Sequence, residues 1–211
     1  MAILESYIDR HSDTFQRNAK VMGTAVDEFR DIEQRVIAAA EKKVPRYRER
    51  GLMPPRERLS ALLDVGTPFL ELSTLCGYMQ EEDRDGCAAG GSCITGIGYV
   101  AGVRCMIMVD DYLTKGGSIT PLGSAKRQRM MRIAIENKLP VLTLAQSGGG
   151  NLKLLGDFFG PSGAGFAVQA KLSAMGIPQI TVVHGSATAG GAYQPGLSDY
   201  VIMIRRQSTV Y

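Results

Sequence analysis

The chain has 211 residues, of which 45% are hydrophobic and 21% charged, a composition typical of a soluble globular protein with one sizeable core. The formal net charge is only +3, and the basic residues are scattered except at residues 42–58. The low charge and the scatter argue against nucleic-acid binding. No apolar run approaches the roughly 20 residues that cross a bilayer, and the N-terminus lacks the apolar core of a secretory signal. We therefore expect a cytoplasmic chain with no membrane contact.

The cysteines and histidines form no metal-binding pattern. The four cysteines are Cys76, Cys87, Cys93 and Cys105, and no two of them stand as C-x2-C. Only two histidines are present, and neither stands near a cysteine pattern. The sequence thus predicts reduced, structural thiols and no metal site.

The N-terminal part of the chain has the pattern of one long helix. Between Ser12 and Tyr47, apolar residues recur at three- and four-residue steps. They are Met22, Val26, Phe29, Ile32, Val36 and Ala40. We expect an amphipathic helical arm over residues 1–50 that lies along a partner surface, followed by one main domain over residues 51–211. A short helix from Glu57 to Leu63 opens that domain after the Pro54-Pro55 break.

The main domain begins with β-rich sequence. The runs Cys93–Val100 and Arg104–Val109 are joined by Ala101-Gly102, which predicts a hairpin. Beyond residue 110, apolar strands alternate with helices, which predicts an α/β fold built of βαβ units. The predicted helices cover residues 124–136, 165–174 and 190–197, and the predicted strands cover residues 141–145, 179–183 and 200–204. Because no helix follows the last strand, we expect further sequence or a partner to cover the sheet, and we expect a homo-oligomer.

Two glycine clusters follow neighbouring predicted strands. Residues 147–150 read Ser-Gly-Gly-Gly, and residues 188–193 read Thr-Ala-Gly-Gly-Ala-Tyr at the start of a predicted helix. Each cluster places unhindered backbone N–H groups at the carboxyl end of a strand. Either cluster alone is explained by a tight turn. Two that converge would form an oxyanion hole for a thioester that becomes an enolate, so we expect their amides to face one shared cleft.

Other patterns carry less chemistry. Residues 115–118, Lys-Gly-Gly-Ser, are a candidate phosphate or pantetheine contact, or a solvated loop. Residues 160–165 lack the Gly-Lys-Ser/Thr ending of a nucleotide-binding loop. His184 has no G-x-S-x-G motif near it, which favours a buried, hydrogen-bonded histidine. Since the glycine clusters contain no pair of acidic residues, the base would come from a cofactor or from the substrate.

Four segments in order resemble a known family. They are LMPPRERLSALLDVGTPFLEL, GIGYVAGVRCMIMVDDYLTKGGSITP, LPVLTLAQSGGGNL and MGIPQITVVHGSATAGGAYQPGLSDYVIMI. Together they cover nearly all of residues 45–211. The order is similar to the N-terminal half of the carboxyltransferase (β) subunits of biotin-dependent acyl-CoA carboxylases. The Lys-Gly-Gly and Ser-Gly-Gly-x-Asn-Leu forms resemble methylcrotonyl-CoA and geranyl-CoA carboxylases most, and propionyl-CoA carboxylase less.

The resemblance implies a crotonase-like fold of ββα superhelical units, with the biotin-binding C-terminal domain of the family absent from this sequence. It implies that carboxybiotin on a partner carrier donates the carboxyl group to an acyl-CoA, that the biotin nitrogen takes the substrate proton, and that a biotin carboxylase/biotin carrier (α) subunit is the partner. The implied catalytic amides are those of Gly148, Gly149, Gly190, Gly191 and Ala192. The implied CoA-binding residues are Arg56, Arg58, Lys115, Gly116, Gly117 and Ala189.

Some segments depart from the family pattern. Residues 153–165 and 123–126 differ from the methylcrotonyl-type forms, and no zinc ribbon is present in the sequence. These departures leave the acyl substrate open. Two alternatives also remain open: a crotonase-type decarboxylase or hydratase that works without biotin, and a non-catalytic CoA-binding assembly module.

Overall fold

The computed structural model describes residues 5–80 and 83–211, apart from the side chains of residues 155, 157–159, 161 and 162. Helix α1 covers Asp13–Glu41, and none of its residues is buried. The Ser12 hydroxyl accepts the Phe15 N–H at 3.2 Å and caps the helix start. A second helix, α2, covers Val44–Arg48. The single helix predicted over residues 12–47 is therefore wrong at its end, because Pro45 has no N–H and its ring clashes with a preceding turn.

Helix α3 covers Pro55–Leu62 and starts two residues earlier than predicted, with proline in its first turn. Helix α4 covers Pro121–Asn137, α5 covers Leu155–Ala174, and α6 covers Tyr193–Gly196. The predicted start of α5 at Gly165 is wrong. Its glycines each cost about 1 kcal/mol of helix propensity, which gave the segment the pattern of a loop, and packing against α4 overrides that cost.

One sheet organises the fold, in the order β1-β2-β3-β4-β5-β6. The first three strands, β1 (Leu70–Glu71), β2 (Cys93–Val100) and β3 (Val103–Asp110), are antiparallel. The next three, β4 (Val141–Ser147), β5 (Gln179–Ala187) and β6 (Tyr200–Met203), continue the sheet in parallel. The short β7 (Thr209–Val210) pairs with the end of β5. The hairpin and the α/β class are confirmed, whereas β1 and β7 were missed because two residues show no periodicity.

Two apolar cores lie on opposite faces of this sheet. Alternate residues of β3 point to opposite faces, so Met106 and Met108 pack against α4 and α5, while Ile107 and Val109 pack against α3. The helices thereby clamp β4 and β5 from both sides. The carboxyl ends of these two strands, where the glycine clusters begin, are held side by side.

The far edge of the sheet is uncovered. The four β6 residues, Tyr200 to Met203, all have exposed side chains. The predicted helix over residues 190–197 is instead a 3-10 turn, Ala189–Ala192, followed by the four-residue α6. This correction matters for the site, because so short a helix has almost no macrodipole and the amides themselves must act.

The described residues contain no helix with both the length and the apolar character needed to span a membrane. The four cysteines are free, and Cys93 and Cys105 are buried. No group of three or more His, Cys, Asp or Glu side chains able to hold a metal occurs in residues 5–80 and 83–211. The cytoplasmic location stays a prediction.

Candidate active site

The two glycine clusters are in direct contact. The Thr188 N–H donates to the Ser147 carbonyl at 3.3 Å, and a Cβ placed on Gly149 would lie 3.1 Å from the Thr188 carbonyl oxygen. Ser147 pairs with Ala187 in the parallel ladder. The structure thus brings together the two clusters that the sequence placed after neighbouring strands.

A cavity of about 530 Å³ opens beside both clusters, with mostly apolar walls. Its floor is formed by Met108 and Met131 of the buried core. One wall is a ring pair, Phe166 and Tyr193, with centroids 4.4 Å apart. The remaining lining residues are Ile119, Ser124, Arg127, Gln128, Gly148, Gly149, Gly150, Leu152, Gly165, Gln169, Thr188, Ala189, Gly190 and Gln194. The shape and polarity suit an apolar group with a polar end at the glycines.

Two of the predicted catalytic glycines have their amides engaged within the protein. The Gly149 N–H donates to the Ser147 hydroxyl at 3.1 Å, and the Gly191 N–H donates to the Thr188 carbonyl at 2.9 Å. Both glycines are buried. A Cβ on Gly191 would lie 2.9 Å from the Ser147 Cβ, closer than side chains pack. These two glycines therefore shape the turns and allow them to approach each other.

Gly148 and Gly190 differ from these buried glycines. Both are exposed and line the cavity. In the part of the chain that the structure describes, neither N–H donates to a protein acceptor. Ala192 is only half-buried and is not among the described residues that line the cavity. Of the predicted catalytic residues, Gly148 and Gly190 are therefore the two whose amides are open to a ligand on this face.

The third glycine cluster lies behind the first. Residues Lys115–Gly117 form a 3-10 turn in which all three residues have positive φ. The Gly117 carbonyl accepts the Ser147 hydroxyl at 3.2 Å, and a Cβ on Gly148 would lie 3.0 Å from the Gly116 carbonyl oxygen. This turn supports the Gly148 turn from outside the cavity. The predicted CoA contact of Lys115, Gly116 and Gly117 stays a prediction.

The arginines expected near CoA have protein partners. Arg56 forms a two-pronged ion pair with Glu71, at 2.9 and 3.1 Å. Arg58 is only 2% exposed and donates to the Met53 carbonyl and the Tyr47 hydroxyl. Burial lowers the pKa of Arg58 and raises that of Tyr47. Neither arginine lines the large cavity among its described residues, so their predicted role in CoA binding stays a prediction and would require Arg58 to leave its partners.

Sequence reasoning missed a polar network beneath the glycine turn. Asp110, at the end of β3, pairs with Arg127 of α4 at 2.7 Å, and Arg127 also lines the cavity. The other Asp110 oxygen accepts the backbone N–H of Gln146 at 3.0 Å. The available signal was a polar residue at the end of an apolar strand, at Asp110 and again at Gln146.

His184 does not match the buried, hydrogen-bonded histidine that was predicted. It is half-buried, and its ring has no hydrogen-bond partner among the described residues. Burial, together with the positive charge of Arg58, lowers its pKa from 6.5 to about 4. The ring is therefore neutral at physiological pH and is poorly placed to gain a proton.

A pH effect follows from His184. In the unfolded chain it binds a proton near pH 6.5 and in the fold only near pH 4, so its contribution is complete above pH 6.5 and is lost as the pH falls towards 4. We expect the free energy of unfolding to drop by about 1 kcal/mol between pH 7 and pH 5 through this residue, after screening of a half-exposed group. Urea denaturation at both pH values measures the drop.

The matched variants for this test are His184→Gln and His11→Gln, which remove the only two histidines in turn. The first should remove that part of the pH dependence, and the second, at an exposed position, should retain it. Equal pH profiles for wild type and His184→Gln would contradict the assignment.

Comparisons with known proteins agree with this geometry. The carboxyl transferase domain model matches residues 46–211. The probable methylcrotonoyl-CoA carboxylase beta chain, mitochondrial, of Drosophila melanogaster is 40% identical over 213 aligned residues, which cover 99% of this chain and 36% of that protein. The P. aeruginosa geranyl-CoA carboxylase beta subunit is similar in structure, with 51% identity and a TM-score of 0.88 over 98% of this chain and 39% of that chain.

A transcarboxylase 12S structure with methylmalonyl-coenzyme A and methylmalonic acid bound is 26% identical, with a TM-score of 0.78 over 90% of this chain and 37% of that chain. The crotonase-like fold expected from the resemblance is confirmed by these structural matches. The chain spans between 36% and 39% of the length of these three relatives.

Proposed function

Because the chain belongs to the carboxyl transferase domain family, we propose that it forms the acyl-CoA side of the carboxyltransferase reaction of a biotin-dependent acyl-CoA carboxylase. One observation carries the proposal. The unpartnered amides of Gly148 and Gly190 border the same mostly apolar cavity of about 530 Å³. An acyl thioester has the matching form, with an apolar tail and one carbonyl oxygen that accepts two hydrogen bonds.

The geometry suits the charge that develops in the reaction. When the acyl group loses a proton next to its thioester, negative charge moves onto the carbonyl oxygen. Fixed N–H donors at Gly148 and Gly190 would stabilise that oxygen more in the enolate than in the ground state, which is the condition for a rate increase. The mostly apolar walls lower the local dielectric constant, which strengthens both hydrogen bonds.

The group that accepts the substrate proton distinguishes carboxyl transfer from the alternative hydratase and decarboxylase reactions. The described residues that line the cavity include no carboxylate and no histidine. A hydratase or biotin-independent decarboxylase of this fold would need such a side chain near the substrate. Carboxybiotin on a partner carrier would supply both the carboxyl group and the proton acceptor. The donor set of this cavity therefore supports carboxyl transfer, with the chain's own residues binding and orienting the thioester.

Calorimetric titration tests the acyl-CoA proposal. The chain should bind acyl-CoA thioesters more tightly than free CoA, because only the thioesters place a group in the cavity. Equal affinities would contradict the assignment of this cavity to the acyl group. Addition of biotin carboxylase, biotinylated carrier and a partner chain that supplies the family's biotin-binding domain should then give acyl-CoA carboxylation. Binding without turnover in that complete mixture would favour the assembly module instead.

The size of the acyl group can be tested at Gly165. This residue of α5 lines the cavity, and a Cβ there would meet no atom within 4 Å. Gly165→Leu should fill part of the cavity and weaken binding of a branched or long-chain acyl-CoA about 10-fold, while acetyl-CoA affinity stays within about 2-fold. The affinities come from the same titrations.

Gly163→Leu is the matched control for Gly165→Leu. Gly163 lies in the same helix, is exposed, and has no atom within 4 Å of its Cβ position. Both substitutions raise helix propensity by about 1 kcal/mol, so only the cavity distinguishes them. A similar loss of affinity in both variants would show that the α5 cavity wall does not select the acyl chain.

The partners follow from the uncovered surfaces. The β6 side chains are exposed and none of the α1 residues is buried, which supports a homo-oligomer and contact with an α subunit that carries biotin. Hexamer assembly is described for the related transcarboxylase 12S. The division into a helical arm at 1–50 and an acyl-CoA domain at 51–211 belongs to the same proposal. Light scattering of the purified chain gives the oligomeric state.

A further inference from the structure

An irregularity in the sheet lies directly before the Gly148 turn. Ala145 pairs with Val183, but Ser147 pairs with Ala187, so Gln146 alone faces the three β5 residues 184–186. A Cβ on Gly185 would lie 2.6 Å from Nε2, the side-chain nitrogen of Gln146. The glycine at this point of β5 leaves the room that the Gln146 side chain occupies.

The backbone of Gln146 is held from the α4 face of the sheet. Its N–H donates to a side chain, the Asp110 carboxylate, at 3.0 Å. Asp110 is itself fixed by Arg127 at 2.7 Å, and the two side chains are only 6% and 13% exposed. A charge-assisted hydrogen bond to a buried, paired carboxylate fixes a peptide group more firmly than a neutral one.

The side chain of Gln146 is held from the opposite face. Its carbonyl oxygen accepts hydrogen bonds from the Tyr47 hydroxyl and from Arg58 at 2.6 Å. Arg58 also donates to the Tyr47 hydroxyl at 2.8 Å. Gln146 is 3% exposed and Tyr47 5%. The side chain and backbone of this one residue are thus anchored by α2 and α3 on one face and by β3 and α4 on the other.

Burial of the charged Arg58 side chain in the core destabilises the fold. It is 2% exposed, and within residues 5–80 and 83–211 no carboxylate pairs with it and its Nη1 has no hydrogen-bond partner. A buried, unpaired guanidinium destabilises a fold, and such costs concentrate at functional sites. Its donors instead hold Gln146, Tyr47 and the Met53 carbonyl.

We propose that Gln146 is a positioning residue that aims the Gly148 N–H into the cavity. Gly148 follows two residues later and is exposed, and an exposed glycine has little intrinsic preference for one peptide orientation. Fixing the backbone N–H and the side chain of Gln146 restricts that freedom before the substrate arrives. The catalytic consequence rests on the proposed function, whereas the orientation of the Gly148 N–H does not.

The test compares two substitutions in the full 211-residue chain. Gln146→Met keeps the volume and removes the acceptor, and Gln146→Glu keeps an acceptor oxygen for Tyr47 and Arg58. With ¹⁵N-glycine labelling, the Gly148 amide signal should shift or broaden in Gln146→Met and stay near its wild-type position in Gln146→Glu. The unlabelled chain, supplied with acyl-CoA, biotin carboxylase, biotinylated carrier and a partner chain that supplies the biotin-binding domain, gives the kinetic comparison.

We expect kcat to fall about 10- to 100-fold in Gln146→Met, as for a misplaced oxyanion donor, with acyl-CoA affinity within about 2-fold of wild type. Gln146→Glu should restore most of kcat. A role in stability alone would instead lower the melting temperature without separating kcat from affinity. If Gln146→Met fails to fold, Tyr47→Phe, which removes one hydroxyl, should give a smaller effect in the same direction.

The outcomes separate the two proposals. An unchanged Gly148 signal in Gln146→Met, or an unchanged kcat, overturns the positioning role. Absence of acyl-CoA carboxylation by the wild-type chain with its partners counts against the proposed function, and the Gly148 signal then decides the positioning role by itself.

Discussion

Under the proposed function, replacement of Gly191 by alanine should lower carboxyl transfer, assayed with the partner chains, about 100-fold while the chain stays folded. The new methyl group would lie 2.9 Å from the Ser147 Cβ and 3.0 Å from its hydroxyl oxygen. The Cβ cannot rotate away, so the 3-10 turn at residues 189–192 must move back from β4. This motion separates the Gly190 and Gly148 amides, and a donor displaced from the developing charge costs about 10²-fold in rate.

Gly196→Ala is the control for Gly191→Ala, because it lies in the following helix and has no atom within 4 Å of its Cβ position. Its kcat and melting temperature should match those of the wild-type chain. A second variant sharpens the test. Ser147→Gly removes both atoms that the new methyl group strikes, so Ser147→Gly with Gly191→Ala should be less impaired than the sum of the single effects. Strict additivity would show that the contact between residues 147 and 191 does not set the spacing of the site.

The location of the candidate site could be predicted from the sequence. Which glycine N–H groups are open to a ligand, and which are bonded within the protein, could not. Runs of glycine at the ends of adjacent strands are visible in a sequence, and parallel pairing places such ends together. Which amide remains open depends on local contacts. Gly149 turns its N–H to the Ser147 hydroxyl and Gly191 to the Thr188 carbonyl. No spacing rule distinguishes these from Gly148 and Gly190.

The α/β fold was predictable for a similar reason, and its exceptions have physical causes. Helix α5 was shortened in the prediction because its glycines lower helix propensity, which packing against α4 overrides. The sequence predicts an exposed Arg58, since a buried arginine is rare. Its place in the core depends on hydrogen bonds to Tyr47 and to Gln146, and Gln146 is 88 residues away in the sequence.

Arg127→Met should lower the free energy of unfolding by about 3–5 kcal/mol, the usual cost of breaking a buried ion pair. Arg127 and Asp110 are 2.7 Å apart, with side chains 13% and 6% exposed. Methionine fills much of the space but leaves the Asp110 carboxylate buried without its cation. Since a domain of this kind has only about 5–15 kcal/mol of stability in all, urea denaturation at pH 7 should show a large shift of the midpoint.

Two further variants test whether burial and ion pairing cause the expected effect of Arg127→Met. Arg48 pairs with Glu57 at the surface, where the side chains are 63% and 48% exposed, so Arg48→Met should cost no more than about 1 kcal/mol. Adding Asp110→Asn to Arg127→Met removes the stranded charge while an amide oxygen still accepts the Gln146 N–H. The double variant should therefore be more stable than Arg127→Met alone, by about 0.5–3 kcal/mol. A double variant that is less stable than Arg127→Met would mean that Asp110 is held by neighbours other than Arg127, and that the cavity-lining arginine acts through packing instead of charge.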